Sequence, residues 1–266
     1  MSESPVILVT GASSGIGEAT ARLFGQRGYR VVLAARRLDR LQVIAQEIQT
    51  DGGNALPVGA DLTQETDIRN LVQASLEHFG RIDILVNNAG AGRCNWLENM
   101  DPQKEITNQL QINLLAVILM TQAVLPQMIE RRSGHIINMG SMASWVATPT
   151  YTIYAASKFA LRGFSEALRR EVGIYNVKVS VIYPGGVATE FGEHLGYKRK
   201  TGLTTPKGLR LTSEGVAETV WKVAQRPRRE VIIPRIMRLS AWMNYFLPGL
   251  TDRMIENRFT RPERLS

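Results

Sequence analysis

The stretch Val6-Ile7-Leu8-Val9-Thr10-Gly11-Ala12-Ser13-Ser14-Gly15-Ile16-Gly17 decides the fold of this chain. Four apolar residues that end in Thr-Gly are typical of a strand buried on both faces. The glycines that follow permit a tight turn and a close approach of backbone to a ligand. A helix begins after them, and its N-terminus supplies free amides and a partial positive charge. This unit at the start of the chain favours a pyrophosphate-binding turn over a plain strand-to-helix connection.

Strand and helix patterns alternate along the rest of the chain. The predicted strands are 6–9, 31–35, 55–58, 84–86, 135–139, 177–182 and 230–233, and the predicted helices are 18–27, 38–49, 67–79, 103–130, 154–172 and 214–225. The alternation predicts an α/β fold: one Rossmann-type domain with a doubly wound parallel sheet of about seven strands and helices on both faces. We expect a single domain over 1–266, with its core in 5–233 and a helical extension in 234–266.

Composition narrows the class of protein. Hydrophobic residues make up 44% of the 266 residues, which is ordinary for a globular core. The single cysteine, Cys94, excludes an internal disulfide, and three scattered histidines offer no metal-ligand spacing. The polar segment 1–5 is too short for a signal peptide, and the longest apolar run, 114–120, is too short for a membrane span. We therefore expect a cytoplasmic protein without a metal.

The positive charge is concentrated in the C-terminal part of the chain. The formal net charge is +8, and residues 226–266 hold nine arginines and four acidic residues. Since no nucleic-acid motif accompanies this excess, a solvated basic surface is favoured over nucleic-acid binding. The tail also carries apolar residues at helical spacing beside basic ones: Ile236, Leu239, Met243, Phe246, Leu247 and Leu250, with Arg235, Arg238 and Arg253. Packing on the domain or on a partner subunit is favoured, and a membrane surface is the alternative.

The end of the second strand indicates which dinucleotide the site takes. An NAD site places Asp or Glu there to hold the ribose hydroxyls, whereas this chain has Ala34-Ala35-Arg36-Arg37. Arg36 could pair with a 2′-phosphate and stack on adenine, with hydroxyl contacts from Ser13 and Ser14. The sequence therefore predicts NADP(H), the alternative being that both arginines begin a solvated helix. Asp61, after the third strand, suits an adenine contact and a helix cap equally.

Tyr154 and Lys158 lie four residues apart in an alanine-rich stretch that favours helix. Residues at this spacing share one helix face. A phenol beside an ammonium is an acid/base pair, because the positive charge is expected to lower the pKa of the tyrosine. The pair alone also occurs by chance on surface helices. Its position thirteen residues after Ser141, and far downstream of the glycine turn, predicts a catalytic site.

Together these motifs resemble the short-chain dehydrogenase/reductase family. The resemblance covers the chain from Val6 to about Ile233 and includes Thr-Gly-x-x-x-Gly-x-Gly, Asn-Asn-Ala-Gly at 87–90, Asn113, Ser141, Tyr-x-x-x-Lys, and Pro-Gly-Gly-Val-x-Thr at 184–189. It implies NAD(P)-dependent interconversion of a carbonyl and an alcohol without a metal. It also implies a homodimer or homotetramer.

The resemblance implies a role for each matching residue. Tyr154 would be the general acid in reduction, Lys158 would assist it and bind the nicotinamide ribose, Ser141 would hold the substrate oxygen, and Asn113 would help to hold a water chain. The expected cofactor-binding residues are Gly11, Ser13, Ser14, Gly15, Ile16, Gly17, Arg36, Arg37, Asp61, Leu62, Asn88, Ala89, Gly90, Tyr154, Lys158, Pro184, Gly185, Val187 and Thr189.

Substrate specificity is expected in three loops on the same rim of the sheet, at 91–100, 144–153 and 188–212. The expected substrate pocket contains Ser144, Trp145, Tyr151 and Phe191, a mostly apolar set that indicates a small-molecule substrate with hydrophobic bulk. Two alternatives to an NADP(H)-dependent enzyme of this kind stay open. One is a catalytically idle dinucleotide-binding protein that responds to redox state, and the other is a membrane-surface protein whose tail is the functional part.

Overall fold

One parallel sheet organises the molecule. The computed structural model describes residues 4–193, 195–196, 200–201 and 205–265. Within them, seven strands lie in the order β3-β2-β1-β4-β5-β6-β7. The strands are β1 (Val6–Thr10), β2 (Arg30–Ala35), β3 (Asn54–Gly59), β4 (Ile84–Asn87), β5 (Gly134–Met139), β6 (Val177–Pro184) and β7 (Glu230–Ile233). The predicted Rossmann-type fold is therefore confirmed.

Helices connect the strands and cover both faces of the sheet. They are α1 (Gly15–Gln26), α2 (Leu38–Thr50), α3 (Glu65–Phe79), the long helix (Pro102–Glu130), the Tyr154 helix (Thr152–Val172) and the late helix (Ser213–Gln225). The tail continues as Met237–Phe246, Pro248–Ile255, Glu256–Thr260 and Arg261–Leu265. The first helix was predicted to begin at Glu18, but α1 begins at Gly15. Glycine has low helix propensity, so tertiary contacts rather than local preference fix this start.

Alternate residues of the strands pack into two separate cores. In β1, Val6 and Leu8 belong to one core cluster, and Ile7 and Val9 belong to the other. The first cluster is closed by α3 and the long helix, and the second by α1, α2 and the late helix. Because helices cover both faces, β1 is buried along its whole length, as the sequence pattern indicated.

The long helix passes through the first core. Ala116, Met120, Val124 and Met128 are buried there. Among the described residues, this helix alone is long and apolar enough to cross a membrane by length and composition. Here it packs against the sheet and carries Asn113.

The order of the strands places the functional loops. The connections that follow β1 and β4 leave in opposite directions from neighbouring strands, which opens a crevice at their carboxyl ends. The glycine turn follows β1, the Asn-Asn-Ala-Gly segment follows β4, and Ser141 follows β5. Of the loop predicted at 188–212, residues 194, 197–199 and 202–204 lie outside the described residues.

Candidate active site

The glycine positions of the turn between β1 and α1 have little room for a side chain. Gly11 and Gly15 have positive φ angles, of +66° and +57°. A Cβ built on Gly17 would lie 2.2 Å from the carbonyl oxygen of Gly11. Ser14 is the N-cap residue of α1, but its side chain makes no capping hydrogen bond. The first-turn amides of α1 are thus available to an anion, and the turn fits a dinucleotide pyrophosphate.

The segment after β4 is hydrogen-bonded to this turn. Thr10 Oγ1 accepts hydrogen bonds from the backbone amides of Asn88 and Ala89, at 3.0 Å each. Asn88 Nδ2 donates to the carbonyl oxygens of Thr10 and Gly11, at 3.0 and 3.3 Å. The side chain of Asn88, which was expected to bind the cofactor, holds the glycine turn in place through these bonds.

The arginines at the end of β2 occupy different positions. Arg36 is exposed; its backbone oxygen accepts from the amide of Leu38 at 3.1 Å, but its guanidinium makes no hydrogen bond with another described residue. Arg37 Nε donates to Ser13 Oγ at 3.1 Å, and its Nη2 donates to Ser14 Oγ at 2.9 Å. The residue fixed on the glycine turn is thus Arg37 rather than Arg36, because Arg37 lies beside the turn and is only partly exposed.

Sequence reasoning missed a carboxylate at this position. Glu190 Oε2 lies 3.2 Å from Nη1 of Arg37, and its Oε1 lies 2.9 Å from Nη1 of Arg40. Hydrogen bonds from Arg40 and, to a smaller extent, Arg37 hold the pKa of Glu190 below its usual range. Only the fold could reveal this ion pair, since the two arginines and Glu190 are far apart in the sequence.

Asp61 and Leu62 serve the turn that leads into α3. Asp61 Oδ1 accepts hydrogen bonds from the backbone N and Oγ1 of Thr63, at 3.0 and 2.9 Å. Of the two interpretations of Asp61, this arrangement resembles the capping one, although α3 begins only at Glu65 and Gln64 is its N-cap. The side chain of Leu62 is buried in the first core, so only its backbone can face a ligand.

Ser141, Tyr154 and Lys158 come together at the carboxyl ends of β4 and β5. Ser141 hydrogen-bonds the side chain of Tyr154, and Ser141 Oγ also accepts from the amide of Ala143 at 3.1 Å. Lys158 Nζ donates to the carbonyl oxygen of Met139 at 2.9 Å and lies 5.8 Å from the centre of the Tyr154 ring. The helical spacing thus places both side chains on the inner face of one helix.

Burial governs the ionisation of this pair. It raises the pKa of Tyr154 to about 12, against a smaller lowering effect of the Ser141 hydrogen bond. Burial also lowers the pKa of Lys158 to about 8. The pKa of Tyr154 therefore lies above its ordinary value rather than below it, contrary to the expectation, because burial disfavours the charged phenolate.

Asn113 joins two parts of the site. Its Oδ1 accepts from the amide of Ala91 at 2.8 Å, and its Nδ2 donates to the carbonyl oxygen of Ala91 at 2.8 Å and to Ser157 Oγ at 3.2 Å. It lies in a π-helical turn, Gln111–Leu115, a feature that often occurs at functional sites. The amide of Asn113 therefore connects the loop after β4 to the Tyr154 helix, and the expected water chain stays a prediction.

The segment after β6 covers the glycine turn. A Cβ built on Gly15 would lie 3.2 Å from Thr189 Cγ2. Val187 pairs with Leu211 in an isolated bridge. The amide of Gly185, which follows Pro184, donates to the carbonyl oxygen of Ile233 at 2.7 Å. Thr189 is thereby placed over the N-terminus of α1.

Two residues of the expected substrate pocket contact Tyr154. The rings of Tyr151 and Phe191 both have their centres 5.8 Å from that of Tyr154. Phe191 also closes over Gly92, where a Cβ would lie 2.4 Å from Cζ of Phe191. Two aromatic rings, those of Tyr151 and Phe191, therefore lie beside the acid/base residue Tyr154.

Trp145 and Ser144 are placed differently. Trp145 packs on Tyr183 in a third apolar cluster, and the guanidinium of Arg162 lies 3.4 Å from its ring centre. The described ring contacts of Trp145 are thus with Tyr183 and Arg162 and not with Tyr154, and its place in the substrate pocket stays a prediction. Ser144 is fully buried, and its Oγ has no hydrogen-bond partner among the described residues. Thr150 shares this property, which the sequence did not indicate.

Among the residues that the structure describes, no group of three or more His, Cys, Asp or Glu side chains is placed to hold a metal ion. The fold and the site thus define a Rossmann-like α/β protein with a serine, a tyrosine and a lysine at the carboxyl ends of its strands.

Comparison with known proteins identifies the family. Residues 5–200 match the family model for short chain dehydrogenase. An uncharacterized oxidoreductase of Staphylococcus saprophyticus is 39% identical over 195 residues, which are 73% of this chain and 78% of that relative. The chain belongs to the short-chain dehydrogenase family and is an oxidoreductase of that family.

Solved structures are similar over most of the chain. An alcohol dehydrogenase from the archaeon Thermococcus sibiricus, complexed with 5-hydroxy-NADP, has a TM-score of 0.78 and 30% identity, over 87% of this chain and 96% of that one. A 3-ketoacyl-(acyl-carrier-protein) reductase from Brucella melitensis, complexed with NADH, has a TM-score of 0.78 and 29% identity, over 87% of this chain and 97% of that one.

Proposed function

We propose that this protein is an NADP(H)-dependent oxidoreductase that interconverts a carbonyl and an alcohol on a substrate with hydrophobic bulk. The observation that carries the proposal is the arrangement of Tyr154 between Ser141 and Lys158, on the same rim as the glycine turn. An idle binding protein would not need these three side chains together with Asn113.

The ionisation of Tyr154 suits a general acid. With a pKa of about 12, its hydroxyl is protonated at neutral pH and can donate its proton to a substrate carbonyl oxygen. The Ser141 hydroxyl, which lies beside Tyr154, can hydrogen-bond the same oxygen as negative charge develops on it. A bound nicotinamide dinucleotide would supply the hydride in reduction and accept it in oxidation. In oxidation the proton returns from the alcohol to Tyr154.

Lys158 holds a positive charge beside the acid. With a pKa of about 8, it is mostly protonated at neutral pH. A Cβ on Gly90 would lie 3.9 Å from its Nζ, so the ammonium faces the loop after β4 as well as Tyr154. From this position Lys158 can bind a ribose hydroxyl and stabilise the tyrosinate that remains after proton transfer.

The residues at the adenosine end support NADP(H) over NAD(H). Arg37 bonds Ser13 and Ser14, Arg40 shares the carboxylate of Glu190 with Arg37, and the end of β2 has no acidic residue. Guanidinium groups bind phosphate through charge-assisted hydrogen bonds. The related solved structures include complexes with 5-hydroxy-NADP and with NADH, so the choice depends on these side chains.

The cofactor assignment can be tested by titrating the protein with NADPH and with NADH while following nicotinamide fluorescence. We expect tighter binding of NADPH. Replacement of Arg37 by Met should weaken NADPH binding by about tenfold or more, because a charge-assisted bond to phosphate is lost, and should leave NADH binding nearly unchanged. The matched Arg36→Met variant should have the smaller effect. Equal binding of both cofactors, insensitive to either variant, would reassign the site to NAD.

The chemical assignment requires a separate experiment. A panel of apolar ketones and aldehydes is incubated with NADPH, and its oxidation is followed for the wild type, Tyr154→Phe and the remote control Tyr29→Phe. Turnover that Tyr154→Phe abolishes and Tyr29→Phe retains supports the proposal, provided that Tyr154→Phe still binds NADPH. Turnover that survives in Tyr154→Phe would contradict the role of Tyr154. NADPH binding without turnover on any compound would favour the idle binding protein.

A further inference from the structure

The first tail helix, Met237–Phe246, buries only one of its faces. Met237 and Ala241 pack in the third apolar cluster, and Asn244 Nδ2 donates to the carbonyl oxygen of Trp145 at 3.0 Å. The opposite face and the following turn expose large apolar side chains, which we call the apolar tail face: Ile236, Leu239, Trp242, Tyr245, Phe246, Leu247 and Leu250. The exposed fractions range from 47% for Leu247 to 74% for Tyr245.

This face is a continuous patch rather than a set of scattered residues. The ring centres of Trp242 and Phe246 are 5.0 Å apart, and those of Tyr245 and Phe246 are 4.9 Å apart. Ile236 and Leu239 lie on the same side of the helix at three-residue spacing before Trp242. Patches of this kind on soluble domains mark interaction surfaces.

Unpaired positive charge borders the patch. Arg235, Arg238 and Arg253 are exposed, and none of them has an ion pair with any other described residue. The acidic residues of the tail balance them only in part, since Glu256 pairs with Arg261, Glu263 is buried against residues 200–201, and Asp252 is exposed beside Arg253. The patch therefore combines exposed aromatic and aliphatic surface with an excess of positive charge, three arginines against one aspartate.

We infer that the apolar tail face docks on an anionic lipid surface. Tryptophan and tyrosine favour the membrane–water interface, and arginines beside them are attracted to anionic headgroups. The helix of ten residues is about 15 Å long and too short to span a bilayer, so it would lie in the interface plane. A second copy of the chain fits less well, because a twofold contact through this patch would bring both sets of arginines together.

Deleting the tail would not be a clean test, because the tail also supports the substrate side. The carboxylate of Glu263 accepts hydrogen bonds from the backbone amides of Lys200 and Thr201, at 3.1 and 2.8 Å. The guanidinium of Arg264 lies 3.7 Å from the ring centre of Trp96. Substitutions confined to the exposed face leave these contacts intact.

The test is flotation of the full-length protein with vesicles of phosphatidylcholine, with or without phosphatidylglycerol, at low and at physiological salt. We expect binding to the anionic vesicles only, and weaker binding at higher salt. The triple variant Arg235→Gln, Arg238→Gln, Arg253→Gln should lower this binding about a hundredfold, at about fivefold per arginine. The double variant Leu239→Ser, Trp242→Ser should abolish binding to the anionic vesicles.

Two controls match these variants. Arg69→Gln with Arg170→Gln removes exposed arginines elsewhere, and Val43→Ser with Ile174→Ser removes exposed apolar side chains elsewhere. Both should bind vesicles as the wild type does, and circular dichroism should show all variants folded. The inference is overturned if the wild type fails to float with anionic vesicles, or if the tail variants bind as well as it does. The inference is also overturned if the double variant Leu239→Ser, Trp242→Ser converts a dimer into a monomer while neither the wild type nor the variant binds vesicles.

Discussion

Arg37 and Glu190 form an ion pair across 153 residues of sequence, with 3.2 Å between Nη1 and Oε2. Arg37 also holds the hydroxyls of Ser13 and Ser14 on the glycine turn. Glu190 is flanked by Thr189, which lies over that turn, and by Phe191, which contacts Tyr154. The pair thus links the adenosine end of the site to the segment above the acid/base residue.

Glu190 is expected to compete with a 2′-phosphate for Arg37 and Arg40. The Glu190→Gln variant should bind NADPH about two- to fivefold more tightly, the range expected for an exposed ion pair, and should bind NADH as the wild type does. Fluorescence titration of both cofactors measures the difference. Glu218→Gln, which breaks the exposed pair with Arg27, is the matched control. Weaker NADPH binding in Glu190→Gln would mean that the carboxylate helps to hold the cofactor.

The pH dependence of reduction should report on Lys158. Its pKa is lowered to about 8, so the ammonium is present below pH 8 and is lost as the pH rises through that value. We expect kcat/KM for reduction to be level below pH 8 and to fall above it. Lys158→Arg keeps the charge and should remove this break even if activity is reduced, whereas the exposed Lys178→Arg should retain it. A break that persists in Lys158→Arg would belong to another group.

His135 should make the fold sensitive to acid. It is buried in β5, its Nε2 lies 2.8 Å from Ser180 Oγ, and burial lowers its pKa to about 4. As the pH falls from 6.5 to 4, the unfolded chain binds a proton that the folded chain does not. Stability is lost over that window, by up to about 3 kcal/mol. Urea unfolding at several pH values should show this loss in the wild type and in the exposed His78→Gln, and a smaller loss in His135→Gln.

Two glycine-to-alanine substitutions should have different effects, one on cofactor binding and the other on the stability of a helix. Gly17→Ala places a Cβ 2.2 Å from the carbonyl oxygen of Gly11, so the turn must shift and cofactor binding should be lost. Gly163 has no atom within 4 Å of a built Cβ, and Gly163→Ala should raise the free energy of unfolding by about 0.5–1 kcal/mol. Cofactor titration and urea unfolding measure the two effects. Normal cofactor binding by Gly17→Ala would show that the turn does not bind the pyrophosphate.

Local patterns predicted the parts of the site that depend on chain neighbours. The glycine turn, the Tyr154–Lys158 spacing and the alternation of strands and helices all follow from short-range patterns. The same patterns assigned Arg36 to the phosphate and Trp145 to the substrate pocket. In the structure Arg37 rather than Arg36 bonds the glycine turn, and Trp145 packs on Tyr183. Local sequence does not set which of two consecutive residues after a strand faces the turn, or which residue a loop tryptophan packs against.

The sequence by itself determined that β1 is buried on both faces, that a glycine turn follows it, and that Tyr154 and Lys158 share a helix face, because each depends on backbone geometry over a few residues. Only the tertiary structure decided that Arg37 meets Glu190, that desolvation raises the pKa of Tyr154, and that the apolar tail face stays exposed. Those properties depend on which distant segments exclude water from a side chain or lie beside it, and one-dimensional spacing carries no information about that.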